Sequence, residues 1–179
     1  MNTTAISNNI KPLRTAGIIL GVGMGGFVDG IVFHQILQIH NMLSNRYFPD
    51  TLANEQLNMV WDGLFHAVTW IVTAIGLSML WKVAKYEKSP LQTRVLVGSL
   101  ALGWGLFNLI EGLIDHEIIG LHHVVQRAVG GMQIFWDMLF LASGIALIAF
   151  GIHLIKQGQR ALSARAGSVS ELRGSRAAS

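Results

Sequence analysis

The sequence contains no cysteine. Disulfides, thiolate metal ligands and thiol redox chemistry are therefore excluded at the outset. Charge is also scarce: 13% of the 179 residues are Asp, Glu, Lys or Arg, about half the usual share of a soluble domain. Four apolar runs, 15–43, 57–81, 95–121 and 132–155, carry no Lys or Arg at all. At about 1.5 Å per residue each is long enough to cross a hydrocarbon core of about 30 Å. The polar start MNTTAISNNIKPLRTAG has no cleavage pattern of a removable signal, so residue 15 onward is expected to be the first span. No strand precedes the glycines of GIILGVGMGG, so they do not form a phosphate loop. No serine elbow marks a nucleophile, and no Glu-x-x-His pair of the di-metal carboxylate bundles occurs.

These absences leave an all-α, polytopic membrane four-helix bundle. Its bounds are an N-terminal segment 1–14, a transmembrane domain 15–155 and a basic, disordered tail 156–179. Lys11, Arg14, Lys82, Lys85, Lys88, Arg94, Lys156 and Arg160 flank one end of the spans, against Arg46 and Arg127 at the other. The positive-inside rule then places both termini and the 86–90 loop in the cytoplasm, with 44–56 and 122–131 outside. Basic residues confined to loops and tail indicate no nucleic-acid surface. Gly17, Gly21 and Gly25, echoed by Gly98, Gly103 and Gly105, have the spacing of close helix packing in lipid. Pro49-Asp50 forms a turn, after which Thr51 or Asn54 caps the second span.

What is present is written twice. Residues 29–40, DGIVFHQILQIH, return 82 positions later as 111–122, EGLIDHEIIGLH. The second and fourth spans also correspond, VWDGLFHAV beside FWDMLFLAS, with His66 answered by Leu141. The chain reads as two tandem two-helix hairpins, a duplication with a pseudo-twofold axis along the membrane normal.

An acid at mid-span costs about 2.5–3.5 kcal/mol, so Asp29, Asp62, Glu111, Asp115 and Asp137 should face inward and have partners. The available partners are His34, His40, His66, His116, His122 and His123, all towards the same end of the spans; His153 alone lies apart and reads as structural. Helical rise puts His34, His116, Asp62 and Asp137 in one layer, about 8–9 Å deep, one from each span. Asp29, Glu111 and His66 fall at about 13–17 Å, with His40, His122 and His123 at the mouth. Asp62 and His66 share a helix face, as do Glu111 and Asp115. Asp29 and His34, five apart, diverge by about 140° on a regular helix, which argues against one shared metal unless a bulge intervenes. Asn108 is either a donor to this set or a helix–helix hydrogen bond.

Imidazole and carboxylate together suit a transition metal, Zn, Cu or Fe, and the dispersed methionines do not form a soft Cu(I) cage. Three other readings stand beside this one. They are a haem between His34 and His116, a proton relay, and structural hydrogen-bond glue. With a metal, the protein either holds and hands on the ion or is a membrane oxidoreductase or hydrolase.

The stretches GFVDGIVFHQILQIHNM, WDGLFH and NLIEGLIDHEIIGLHHV resemble a bacterial integral-membrane family designated domain of unknown function 2243, over nearly the whole chain to about Ile155. The resemblance implies four helices in a bacterial cytoplasmic membrane and brings no activity. Some relatives lie beside proteins similar to cytochrome oxidase copper-assembly factors. That implies metal handling or respiratory-enzyme maturation, with membrane or periplasmic metal-handling proteins as partners; self-association stays open.

Overall fold

The computed structural model describes residues 9–86 and 92–177, and all of its regular structure is helical. Helix α1 (Lys11–Val28) passes directly into a π-helical segment, π1 (Asp29–Ile36). Helix α2 is Leu52–Tyr86. Helix α3 (Thr93–Glu111) likewise runs into π2 (Gly112–Ile118), and α4 is Met132–Ala177. Four spans result: Lys11–Ile36, Leu52–Tyr86, Thr93–Ile118 and Met132–Arg165, each long and apolar enough to cross a bilayer. The 86–90 loop used for orientation falls almost wholly outside the described residues.

The helices do not close into a ring. Helix α1 packs on α3, α2 packs on α1 and α4 packs on α3, with no backbone approach of α2 to α4 among the described residues. Glycine makes the central contacts possible. A Cβ on Gly21 would strike the Leu100 carbonyl, and one on Gly103 would strike that of Ile18, so α1 and α3 touch backbone to backbone. Gly98 and Gly105 admit the carbonyls of Gly151 and Gly144 in the same way, seating α4 on α3. Asn108 donates to Ser143 Oγ at 3.0 Å, making it a helix–helix bond.

At the end nearest the termini the interior is apolar: Ile10, Leu13, Val83, Val95, Ile155 and Leu162 form one buried cluster. The outer faces of α2 and α4 expose Trp61, Val68, Ile71, Trp81, Ile134, Leu139 and Phe150, which in a membrane meet lipid rather than water. The segment after 156, expected as a disordered tail, instead continues α4 as helix to Ala177. Its Ala, Leu and Arg residues favour helix, extension of an existing helix needs no new nucleus, and Leu162 is anchored in the apolar cluster.

The opposite end is polar and irregular. Thr51 Oγ1 accepts from the Asn54 N–H and caps α2. The spans end earlier than the hydropathy indicates, at Ile36 and Ile118, because each stops at a residue with positive φ: Gln38 at 50° and Gly120 at 64°. The chain then turns back towards the bundle. The two connections clasp each other, Asn45 N–H donating to Leu121 O and Gln126 N–H to Ile39 O.

Candidate metal centre

The π-helical segments place the acids and histidines. Leu37 N–H bonds to Val32 O and Ile119 N–H to Ile114 O, both at 2.8 Å and both spanning five residues. A five-residue repeat stacks i on i+5, where a regular helix stacks i on i+4. The expected divergence of Asp29 and His34 is therefore absent: His34 Nε2 lies 3.1 Å from Asp29 Oδ2. The second segment does the same, with His116 Nε2 3.0 Å from Glu111 Oε1. The same winding overturns the expected Glu111–Asp115 face, since His116 takes that place and Asp115 is left half-buried beside it.

Two of the histidines expected at the mouth lie in the interior instead. His40 and His122 are 2% and 0% exposed, because the reversal after Gln38 and Gly120 carries them back into the bundle. His40 Nε2 stands 3.7 Å from Asp29 Oδ1, and His122 Nε2 stands 3.0 Å from Glu111 Oε1. The four rings follow one another in the order His34, His40, His122, His116, with successive centroids 4.6, 4.6 and 4.7 Å apart. A porphyrin between His34 and His116 would have to displace the two rings that fill that space.

Each ring is oriented from behind. His34 Nδ1 bonds to Asp62 Oδ1 at 2.9 Å, and His116 Nδ1 lies 3.4 Å from Asp137 Oδ1. His40 Nδ1 bonds to Val124 O at 2.8 Å and His122 Nδ1 to Met42 O at 3.1 Å. A carbonyl oxygen can only accept, so His40 and His122 carry their proton on Nδ1. Asp62 and Asp137 thus stand behind the rings, not in one layer with them. Asp62 also accepts from Asn41 Nδ2, Gln35 Nε2 and the Met42 N–H. Asp137 accepts from the Val124 N–H at 2.8 Å and pairs with His123 Nδ1 at 2.6 Å. His123, 22% exposed at its side chain, belongs to this outer tier.

The consequence is convergence. The Nδ1 atoms of His34, His40 and His122 are hydrogen-bonded, and the Nε2 atoms of all four imidazoles lie towards Asp29 and Glu111 in the interior. His34 Nε2, His40 Nε2, His116 Nε2 and Glu111 Oε2 are buried there without a hydrogen-bond partner. Buried polar atoms are rarely left so. Burial also holds His122, beyond the end of its span, below its ordinary pKa, and His40 and His116 press the same way while Glu111 opposes. His122 Nε2 lies 3.0 Å from Glu111 Oε1, a gap that either a proton or a metal cation can bridge.

His66 does not join the cluster. Its Nε2 is buried and unpartnered, but it faces Gly30 at the back of π1 and stacks on Phe27. His153 is far along α4 and bonds only to Gln157. Residues that the sequence did not single out include Asn41, Met42, Val124 and Asn58. Asn58 sits one helical turn before Asp62, accepting from Leu43 N–H and donating to Tyr47 O. The backbone groups of Met42 and Val124 have no signal in residue type.

Two clefts reach the centre. One of about 280 Å³ opens between the connections and is lined by His40, Asn41, Glu55, Asn58 and Arg127. The other, about 540 Å³ and largely apolar, lies between α1, α3 and α4 and ends at Asp29.

Fold and centre together define a membrane protein with buried His/carboxylate clusters between its helices. The chain belongs to the DUF2243 family of predicted membrane proteins, whose signature matches residues 16–158. No curated protein and no solved structure matches it.

Proposed function

We propose that this protein holds a transition metal in the His/carboxylate cluster, for metal handling or for the maturation of a respiratory enzyme. One observation carries the reading: buried ring nitrogens of His34, His40 and His116 and one oxygen of Glu111 lack hydrogen-bond partners inside a cluster of imidazoles and carboxylates. For metal–ligand bonds of about 2.0–2.1 Å, neighbouring ligand atoms are about 3.0 Å apart in an octahedron and about 3.4 Å apart in a tetrahedron. The contacts of 3.0–3.7 Å between imidazole and carboxylate match such edges. Asp62 and Asp137 are then the carboxylates that orient metal-bound histidines. A donor set of nitrogen and oxygen without sulfur suits Zn, Fe, Mn or Cu(II).

We read the two halves as copies of one hairpin, lying along the membrane normal with both termini in the cytoplasm. Support comes from partners 82 residues apart playing the same part: His40 and His122, Met42 and Val124, Gln38 and Gly120. In this orientation the smaller cleft opens outward and admits the ion.

The test is elemental analysis and an optical spectrum of the chain purified in detergent without chelator. The reading expects a transition metal whose content Asp29→Asn or His34→Ala lowers. Protein that stays metal-free after reconstitution, or shows a Soret band, contradicts it. The apolar cleft favours a second reading, an enzyme acting on a lipid-phase molecule at the same centre. Ala146→Trp should then abolish turnover and leave the metal in place.

A further inference from the structure

Resting on that metal reading, the geometry points to two metal ions, each held by one carboxylate and two histidines. The first set is Asp29, His34 and His40; the second is Glu111, His116 and His122.

The contacts divide the donors this way. Asp29 turns one oxygen to His34 (3.1 Å) and the other to His40 (3.7 Å). Glu111 turns a single oxygen to both His116 and His122, at 3.0 Å each. Each acid therefore faces the two histidines of its own half. One carboxylate with two imidazoles is a ligand set used for Fe(II), and it leaves positions open for a further ligand.

Charge gives a separate argument. Asp29, Asp62, Glu111 and Asp137 are all buried, at 6% exposure or less. Among the described residues their ion-pair partners are histidines alone. Arg46 and Arg127 are the basic residues of the connections at this end, and both are engaged elsewhere. Arg46 donates to Ile119 O, and Arg127 lies over the Phe48 ring. Four carboxylates in a poorly polarisable interior demand about four compensating charges. One divalent ion supplies half. Two supply all of it with the imidazoles neutral, a state compatible with the Nδ1–H bonds of His40 and His122 to carbonyls.

The spacing is also suitable. His40 and His122 stack face to face with centroids 4.6 Å apart and planes within 7°. A donor nitrogen of His40 and one of His122 lie within 4.8 Å of each other, compatible with the separation of about 3.5–4 Å common in two-metal sites. The open positions would then face each other, and a small bridging anion such as hydroxide is the ligand class they fit.

Two measurements on the full chain in detergent test this. Metal analysis after saturation and desalting should give about two ions per chain, falling to about one in Asp29→Asn and in Glu111→Gln. One ion per chain in the wild type overturns the two-ion centre and leaves the metal reading standing; none overturns both. The second needs no variant. The metal-free protein loaded with Mn²⁺ should show the multiline electron paramagnetic resonance signal of an exchange-coupled pair, and azide should shift it. A simple six-line spectrum of isolated Mn²⁺ at saturation overturns the proposal.

Discussion

The two ends of this molecule solve opposite problems. Near the termini, α1 and α3 are regular, glycine lets their backbones touch, and the interior is aliphatic: Ile10, Leu13, Val83, Val95, Ile155 and Leu162. At the other end the same two helices widen into π turns and the chain doubles back. Four imidazoles and four carboxylates then fill the interior. Helix association in lipid needs only the first arrangement. The second costs desolvation and regular hydrogen bonding, a cost that the proposed metal would offset. A π turn inserted in a helix is commonly a functional feature, and here it brings an acid and a histidine five residues apart onto one face twice.

The comparison can be broken first at the packed end. Gly103→Leu drives a side chain into the Ile18 carbonyl on a backbone that cannot yield. A loss of about 3 kcal/mol or more is expected, with metal lost as a consequence; thermal unfolding in detergent measures it. His34→Ala should do the reverse, lowering bound metal while the helix content seen by circular dichroism is unchanged. His153→Ala, remote from the centre, should keep the metal, and equal loss in both variants would refute the site. A milder change is Asp62→Asn, which keeps a hydrogen-bond partner for His34 and removes the charge behind it. Affinity should fall by about 10- to 100-fold, read by competition with a chelator. The smallest effect tests the chain reversal. Gln38 holds a φ of 50° where its counterpart is Gly120, and a side chain there costs about 1 kcal/mol. Gln38→Gly should therefore raise the unfolding midpoint slightly and leave metal content unchanged.

Much of this was legible in the sequence. Four runs without Lys or Arg correspond to the four spans, the glycine spacings to the α1–α3 and α3–α4 contacts, and Thr51 to the cap of α2. The acids and histidines gathered at one end are those that the fold brings together, except His66 and the half-buried Asp115. What the sequence hid was local winding. A regular helix separates Asp29 from His34, and only the five-residue repeat of π1 and π2 reunites each acid with its histidine. Hydropathy extended the spans to 43 and 121 because residues 37–43 and 119–121 are mostly apolar. It carries no sign of the turn at Gln38 that buries His40. Depth along straight helices therefore misplaced His40 and His122 at the mouth. Backbone partners such as the Met42 and Val124 carbonyls leave no trace in residue identity.

The most direct test of the account is X-ray absorption at the edge of whichever metal copurifies with the intact chain. The account predicts a first shell of nitrogen and oxygen at about 2.0–2.1 Å, the outer-shell scattering of imidazole, no sulfur, and a smaller signal per chain in His34→Ala. A metal without imidazole scattering, or a spectrum unaltered by His34→Ala, would contradict the claim that this cluster is a metal centre.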